Sequence, residues 1–237
     1  MGNLATVVTD LSVKRGFKTV VSGLNFEINQ GEIVALVGAS GQGKTTLLHA
    51  LAGLTSISGG SIAHRAANSV HTALSFQESL LLPWLTVREN IKFGFRFSAI
   101  KKHRKFAKGE LDAKVDSLLS RIGISDLADR KVDQLSGGQA QRVSIARTII
   151  VEPEILLLDE PFSALDVNAR SSLQDWLLDL QKQLGLTIVI VTHDIDEAVR
   201  LGNRVLVLSN NGTELIEHNV VSGRSLSDLK QEIVYQI

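Results

Sequence analysis

Eight residues from Gly38 to Thr45 read Gly-Ala-Ser-Gly-Gln-Gly-Lys-Thr and fit the pattern G-x-x-x-x-G-K-[ST]. Glycines at these positions let backbone N–H groups approach phosphate oxygens without clashes from a Cβ atom. The segment follows the apolar run 33–37 and precedes a helical stretch from about 45 to 51, whose positive N-terminal end would face the same anion. Lys44 would reach the β- and γ-phosphates of a nucleotide, and the Thr45 hydroxyl would bind Mg²⁺.

Two adjacent acidic residues, Asp159 and Glu160, close the apolar strand predicted at 155–158. An isolated acidic pair at the end of a strand is usually a solvated turn. In a protein with a phosphate loop, however, an Asp at that end is expected to hold Mg²⁺. Glu160 would then lie where a water molecule attacks the γ-phosphate. A carboxylate there can act as general base and contribute roughly 10²–10⁴ in rate.

A third segment, Leu135-Ser136-Gly137-Gly138-Gln139, runs directly into the helical stretch 140–147. A serine and two glycines at the start of a helix form an anion site, because backbone N–H groups and the positive helix end meet there. A simple helix cap would not account for two adjacent glycines in a chain that also has a phosphate loop. The segment resembles the signature of the ATP-binding cassette (ABC) ATPases, and the resemblance extends over essentially the whole chain.

Other motifs of this family occur in the expected order. Gln77, just after a strand, matches the Q-loop, and the Ser-Ala-Leu-Asp sequence at 163–166 matches the D-loop. His193 follows the strand predicted at 187–191 and matches the switch histidine. The resemblance implies that the catalytic residues are Glu160, His193 and Gln77, and that the Mg²⁺ ligands are Thr45, Gln77 and Asp159.

The resemblance also implies a second copy of the chain. In ABC ATPases two nucleotide-binding domains pack head to tail, and each ATP is held between the phosphate loop of one subunit and the signature of the other. The chain has one copy of each motif, which predicts a symmetric homodimer with two sites. The implied ATP contacts are Gly38, Ala39, Ser40, Gly41, Gln42, Gly43, Lys44, Thr45 and Thr46 of the phosphate loop, and Ser136, Gly137, Gly138 and Gln139 of the signature.

One position departs from the family pattern. ABC ATPases usually place an aromatic ring before a glycine in the first hairpin, where the ring stacks on adenine. Here that position is Arg15, before Gly16, and the nearest ring is Phe17. A guanidinium plane can also stack on a base, so Arg15 joins the predicted ATP contacts. The choice between ATP and GTP stays open at this position.

The order of predicted elements favours an α/β fold, because strands alternate with helices at both ends of the chain. Predicted strands lie at 6–13, 24–29, 33–37, 72–76, 155–158, 187–191 and 204–208. Between Pro83 and Ile150 the strand signal is weak. There a capping box at Thr86 and Glu89 and helical spacing of apolar residues over 111–122 indicate helices. A further amphipathic helix is predicted over 173–184.

These elements and the family resemblance predict a P-loop NTPase core, in which helices flank a mixed sheet. An N-terminal antiparallel β part and an inserted helical lobe complete the predicted fold. We expect one ABC ATPase domain over 1–237, with the nucleotide-binding core at 1–76 and 151–237 and the helical signature lobe at 77–150.

The amino-acid composition argues against several classes of function. The 237 residues carry 25 Lys and Arg against 25 Asp and Glu, and a dedicated nucleic-acid binder would normally have a basic excess. The chain has no Cys, which excludes disulfide scaffolds, thiolate metal sites and cysteine nucleophiles. The longest uncharged stretch, 45–64, is too rich in Gly, Ser and Thr for a membrane span. The N-terminal residues 1–10 lack the basic start and apolar core of a secretion signal.

The segment Ser79–Val87 contains nine uncharged, mostly apolar residues. Part of it would form the core of the lobe, and an exposed part would favour a partner protein. In the family this region receives a coupling helix of the membrane subunit, so we expect permease docking near 77–87. The sequence over 76–91 is similar to the ATPases of nitrate, sulfonate and taurine importers. It therefore predicts an importer ATPase at the cytoplasmic face of the membrane, with an external solute-binding protein. The predicted solute is small, anionic or not, such as nitrate, sulfonate or taurine.

Two alternatives remain at this stage. One is a soluble ABC ATPase that serves a non-transport assembly such as iron–sulfur cluster assembly, and the other is the ATPase of an exporter. A nucleic-acid-linked ABC protein is not expected, because 237 residues leave no room for long coiled coils or a second cassette. The basic cluster 101–105 with Lys108 would be a solvated surface or a contact with anionic lipid headgroups.

Overall fold

The computed structural model describes residues 3–65, 71–96, 107, 109–220 and 226–236. The chain divides into two compact units. The first comprises 1–67, 157–160 and 185–237, and the second comprises 68–156 and 161–184. The predicted helical lobe, 77–150, lies within the second unit, which extends further at both ends and also takes in 161–184. The basic cluster 101–105 with Lys108 lies outside the described residues.

The regular elements alternate between strands and helices along most of the chain. In chain order they are β1 (Leu4–Arg15), β2 (Lys18–Asn29), β3 (Ile33–Val37), α1 (Lys44–Leu51), β4 (Gly59–His64), β5 (Thr72–Ser75), α2 (Val87–Phe93), α3 (Glu110–Arg121), α4 (Gly137–Ile149), β6 (Ile155–Asp159), α5 (Val167–Leu184), β7 (Ile188–Val191), α6 (Ile195–Leu201), β8 (Arg204–Ser209), β9 (Glu214–Asn219) and α7 (Leu226–Val234). Short 3-10 turns lie at 94–96, 125–127, 132–134 and 210–212.

The first unit contains two sheets. Strands β2, β1 and β4 form an antiparallel sheet in that order. The second sheet has the order β6-β7-β3-β8-β9, where the last three residues of β6 belong to this unit. Strand β3 is parallel to both β7 and β8, and β8 is antiparallel to β9. The sheet is therefore mixed, and the antiparallel N-terminal part predicted from the sequence is confirmed.

The core of the first unit explains why its central strands are continuously apolar. All five residues of β3 and all four of β7 are buried, as expected for strands covered on both faces. Helices α6 and α7 cover one side through Ala198, Val199, Leu229 and Ile233, which pack with strand residues such as Val205. These rigid strands place the segments that follow them, and each of those segments carries predicted site residues.

The second unit is largely helical. Helix α2 begins with the predicted capping box, in which Thr86 accepts from the N–H of Glu89 and the Glu89 carboxylate accepts from the N–H of Thr86. Helix α2 packs on α3 and α4, and α4 packs on α5. The indole Nε1 of Trp176 in α5 donates to the carbonyl of Ile122 at 3.1 Å. Strand β5 lies beside the start of β6, where the N–H of Ile155 donates to the carbonyl of His71 at 2.9 Å.

Strands and helices predicted from the sequence are all present, with shifted ends: β2, for example, begins at Lys18 rather than near Leu24. Strands β4 and β9 and helices α6 and α7 were not predicted. Among the described residues, no helix has the length and apolar character needed to cross a membrane.

Candidate functional site

The phosphate loop connects β3 to α1 in the first unit. A Cβ atom at Gly38 would lie 2.4 Å from the carbonyl oxygen of Leu208, so only glycine fits where β3 ends. Helix α1 begins at Lys44 without an acidic residue in its first turn, which leaves its positive end free of a side-chain counter-charge. Loop and helix together form the anion-binding arrangement that the sequence predicts.

Lys44 lies over this loop and is buried, with 7% of its surface exposed. Its ammonium donates to the carbonyls of Gly38 at 2.7 Å and Ala39 at 3.0 Å. An ammonium has three N–H groups, so one remains for a phosphate oxygen. Burial lowers the pKa of Lys44, whereas the carboxylates of Glu160 and Asp159 raise it in part. A charged ligand that replaces the lost hydration would favour the cationic form.

Thr45 and Asp159 meet next to the loop. The Thr45 hydroxyl donates to Oδ1 of Asp159 at 3.4 Å, and Asp159 is buried at the end of β6. Burial raises the pKa of Asp159, the nearby Glu160 raises it further, and His49, Thr45 and Lys44 act in the opposite direction. A hydroxyl and a carboxylate are hard oxygen ligands, which Mg²⁺ prefers. This pair therefore fits the metal that the sequence predicts.

Glu160 and His193 form a second polar pair in the same unit. Glu160 has a left-handed backbone (φ 43°), and its N–H donates to the carbonyl of Val191 in β7 at 2.9 Å. A non-glycine residue in this conformation costs free energy and is typical of functional positions. The Glu160 Oε2 atom lies 3.2 Å from Nδ1 of His193. A neutral His193 that carries its proton on Nδ1 would donate to this carboxylate.

The segment after β7 fixes the position of His193. The side chain of Asp194 caps α6 by accepting from the N–H groups of Asp196 at 2.8 Å and Glu197 at 3.2 Å. The Thr192 hydroxyl donates to Glu197 at 2.7 Å and accepts from the N–H of Asp194 at 3.0 Å. These hydrogen bonds hold Thr192 and Asp194, the two residues that flank His193 in the sequence. The ring is thus presented by a rigid turn rather than by a flexible loop.

The signature segment opens α4 in the second unit. The Ser136 hydroxyl accepts from the N–H of Gln139 at 3.3 Å, and the Gln139 side chain accepts from the N–H of Ser136 at 3.0 Å. A Cβ atom at Gly137 would lie 3.3 Å from Leu165, and one at Gly138 would lie 3.7 Å from Ala169. Ser136 and Gly137 are exposed, and the first turn of α4 has no acidic residue. The helix end is therefore open to an anion.

The D-loop segment 163–166 also lies in the second unit and contacts Gln77. The Gln77 amide donates to the Ser163 hydroxyl at 3.1 Å. At the other end of the segment, Asp166 accepts from the N–H groups of Asn168 and Ala169, both at 3.0 Å, and so begins α5. The hydrogen bond from Gln77 to Ser163 was not predicted, because the two residues are far apart in the sequence.

The predicted site residues are thus collected in two groups. The first unit brings together the phosphate loop, Asp159, Glu160 and His193. The second unit holds Gln77 and the signature residues 136–139. The predicted base contact, Arg15, is exposed at the end of β1, opposite Lys18, and Phe17 beside it is fully exposed.

A pocket of about 330 Å³ adjoins the phosphate loop in the first unit. Its lining residues are Lys18, Thr19, Val20, Gly41 and Asn211. Sequence reasoning did not select Lys18, Thr19, Val20 or Asn211 for the site. Three of them follow the hairpin of the predicted base contact, and the fourth comes from the turn between β8 and β9.

The second unit carries an apolar groove of about 260 Å³. Its walls are Ala73, Leu74, Phe76, Leu80, Phe93, Gly94, Arg147, Thr148 and Val151. Arg147 donates to the carbonyls of Ser79 at 3.0 Å and Leu80 at 2.9 Å, which fixes the loop that borders the groove. Beyond this loop Trp84 is 67% exposed and Leu80 is 53% exposed. Part of the predicted docking segment is therefore an apolar surface.

A family model and the curated relatives that match this chain are all described as parts of transport systems. A family model described as ABC transporter matches residues 21–163. The chain is 41% identical, over 216 residues, to sulfate/thiosulfate import ATP-binding protein CysA 1 of Shewanella oneidensis. The aligned region covers 88% of this chain and 57% of the relative. It is 40% identical to the CysA protein of Bradyrhizobium diazoefficiens, with 88% and 62% covered. The chain thus spans little more than half the length of these curated relatives.

Solved structures of ABC transporter proteins have a similar fold. The cbiO1 protein of Clostridium perfringens, part of the ABC transporter complex cbiONQ, superposes with a TM-score of 0.83 at 28% identity, covering 98% of this chain and 93% of that chain. A second solved ABC transporter, in an inward-facing conformation, gives a TM-score of 0.78 at 29% identity, covering 92% of this chain and 84% of that chain. The predicted family and fold are confirmed. The curated relatives are named for sulfate or thiosulfate import, so the predicted nitrate, sulfonate or taurine subtype is not confirmed.

Proposed function

Because this chain belongs to the ABC transporter family, we propose that it is the subunit of an ABC importer that binds and hydrolyses ATP. The observation that carries the proposal is the assembly of Lys44, Thr45, Asp159, Glu160 and His193 around one phosphate loop. Together these residues meet four requirements of phosphoryl transfer. Lys44 would supply the cation, and Thr45 and Asp159 would form the metal-binding pair. Glu160 would be the base, and His193 would position it.

ATP would bind with its β- and γ-phosphates on the loop, where Lys44 and the first N–H groups of α1 offset their charge. Thr45 and Asp159 would hold Mg²⁺, which neutralises charge that develops on the phosphate oxygens. Gln77 is the third ligand implied by the family resemblance.

Glu160 would take the proton of the attacking water while the water oxygen bonds to the γ-phosphorus and the bond to the β–γ bridging oxygen breaks. The products are ADP and inorganic phosphate. His193 would donate a hydrogen bond to Glu160 and orient it, and the 3.2 Å distance between the two side chains supports this role. The left-handed backbone of Glu160 fixes where its side chain leaves β6.

A second copy of the chain would complete each site. Ser136, Gly137, Gly138 and Gln139 would contact the γ-phosphate held by the partner's Lys44. The exposed start of α4, with no acidic residue in its first turn, supports this role. The dimer would be symmetric and head to tail, with two ATP molecules at its interface.

The apolar groove and the exposed Trp84 and Leu80 support a protein partner for the second unit. We propose that this partner is an integral membrane permease that docks near 77–87, and that an external binding protein delivers the solute. The chain would then lie at the cytoplasmic face of the membrane as a peripheral subunit. A small solute with an anionic oxygen-bearing group is the proposed class, because sulfate and thiosulfate are named in the relatives and nitrate, sulfonate and taurine in the subtype predicted from the sequence.

The test uses native membranes and purified protein in parallel. Purified wild-type chain should release phosphate from MgATP. In cells, it should co-purify with a polytopic membrane protein, and the replacement Trp84→Glu should abolish that association while ATP binding by the isolated chain persists. Tyr235→Glu is the matched control, because Tyr235 is also an exposed aromatic residue (89%) but lies in the first unit. Absence of ATP hydrolysis would contradict the enzymatic proposal. Wild-type association of Trp84→Glu would contradict the docking surface, and a purely soluble partner would favour the non-transport alternative.

A further inference from the structure

The pocket beside the phosphate loop has one wall that no motif predicts. Lys18, Thr19 and Val20 at the start of β2 form one side, and Gly41 of the phosphate loop forms another. Asn211 forms the remaining wall, although it lies about 170 residues beyond the loop in the sequence. The pocket therefore joins the phosphate site to a residue from the turn between β8 and β9.

Close backbone packing fixes that turn against the phosphate loop. Gly212 has φ 81°, and a Cβ atom there would lie 2.1 Å from the carbonyl oxygen of Val20 and 2.9 Å from that of Gln42. Only glycine allows this approach, because any side chain would collide with two backbone carbonyls. The turn at 210–212 is thus seated on both β2 and the loop that would hold the phosphates.

The same turn presents Asn211 to the pocket. Asn211 has left-handed backbone angles (φ 56°, ψ 38°) and is exposed. Its carboxamide makes no hydrogen bond within the described part of the chain. An amide has both a donor and an acceptor, so it can pair with a sugar hydroxyl or with a polar base edge.

We infer that Asn211 contacts the nucleoside part of the bound nucleotide and contributes to its selection. The inference rests on the proposed function, because it requires a nucleotide whose phosphates occupy the loop 38–45. The inference places the sugar or the base of that nucleotide in the pocket that Gly41 and Asn211 line together. Arg15, the residue predicted to contact the base, is not among the residues that line this pocket. Asn211 therefore supplies a polar contact that the family resemblance does not assign.

Left-handed turns accept asparagine for backbone reasons alone, so the experiment must separate that role from ligand contact. Asn211→Gly removes the carboxamide and keeps the left-handed backbone without strain. Asn219→Gly is the matched control, because Asn219 is an exposed asparagine of the same unit and does not line the pocket. Binding of four Mg²⁺-loaded probes would be measured by titration calorimetry. They are the ATP analogue AMP-PNP, its 2′-deoxy form, the guanine analogue GMP-PNP, and inorganic tripolyphosphate, which has no nucleoside.

Loss of one hydrogen bond predicts that Asn211→Gly weakens AMP-PNP by about three- to tenfold. Tripolyphosphate should bind the variant and the wild type equally, and Asn219→Gly should bind all probes as the wild type does. If the contact is to the 2′-hydroxyl, the 2′-deoxy analogue should show no difference between variant and wild type. If the contact is to the base, the analogue should show the same loss as AMP-PNP, and the guanine analogue GMP-PNP should show a different loss.

Two results would overturn the inference. Unchanged AMP-PNP affinity would show that Asn211 makes no contact. Equal weakening of AMP-PNP and tripolyphosphate would show that the turn only supports the phosphate loop. If Asn211→Gly does not fold, Asn211→Ala provides the second variant, because Ala lacks both the donor and the acceptor and adds no charge, and any backbone strain it causes acts on both probes alike. Its AMP-PNP affinity should then fall relative to its tripolyphosphate affinity. Failure of the wild type to bind AMP-PNP would contradict the proposed function itself rather than this contact.

Discussion

The ring of His193 and the carboxylate of Glu160 lie 3.2 Å apart, between atoms Nδ1 and Oε2. Both residues lie just beyond strands of the same sheet: Glu160 is the first residue after β6, and His193 is the second residue after β7. The N–H of Glu160 also donates to Val191, the last residue of β7. The residue proposed as base and the residue proposed to orient it are therefore both held at neighbouring strand ends, which suits a step that requires a defined geometry.

We expect Glu160→Gln to lose most ATP turnover, by roughly 10²–10⁴, because an amide cannot accept the proton of the attacking water. ATP binding should persist, since Lys44, Thr45 and the loop backbone are unchanged. The retained γ-phosphate should link two chains, and binding that favours the pair shifts the equilibrium to dimer by mass action. Phosphate release and size exclusion with and without MgATP measure these effects.

The added replacement Ser136→Arg should return Glu160→Gln to monomer, because it would place a bulky cation at the start of α4. Wild-type turnover in Glu160→Gln would mean that another residue is the base. An inactive protein that stays monomeric with MgATP would contradict the shared-site dimer for the isolated chain.

We expect Lys44→Ala to abolish hydrolysis and weaken MgATP binding, because it removes the buried ammonium over the phosphate loop. The fold should persist, since the two hydrogen bonds of the Lys44 ammonium are local and go to carbonyls five and six residues earlier in the chain. Nucleotide titration and thermal unfolding measure the two effects separately. Lys14→Ala, at an exposed lysine of β1, is the control and should behave as the wild type. Normal turnover in folded Lys44→Ala would refute the phosphate-loop assignment.

Short sequence patterns predict the parts of the fold that depend on interactions between residues close together in the chain. The capping box at Thr86 and Glu89 and the apolar run of β3 are present where the sequence places them. Strand β4 has the sequence GGSIAH, with two glycines and no apolar alternation, and it forms because it pairs with β1. Tertiary pairing outweighs intrinsic strand propensity at such an edge.

The same distinction applies to the site. Residues of the phosphate loop are neighbours in sequence, so their spacing predicts their chemistry. Asn211 and Gly41 share a pocket only because the turn after β8 packs on the loop, and no local pattern reports that contact. The hydrogen bond between Gln77 and Ser163 joins residues 86 positions apart and is equally invisible in the sequence.

That hydrogen bond supports the last prediction. Gln77 donates its amide N–H to Ser163, which leaves the amide oxygen as the atom available for the proposed role as a Mg²⁺ ligand.

Ser163→Ala should release the amide and raise the Mg²⁺ concentration for half-maximal ATP hydrolysis by about two- to tenfold, the range for one lost hydrogen bond. The turnover at saturating Mg²⁺ should change less, because Glu160 and Lys44 are untouched. Ser163→Thr keeps the hydroxyl and should restore the wild-type Mg²⁺ requirement, and Ser117→Ala, at an exposed serine of α3, should leave it unchanged. An unaltered Mg²⁺ requirement in Ser163→Ala would show that this contact does not position Gln77. A loss of turnover at every Mg²⁺ concentration would instead assign Ser163 to the chemical step.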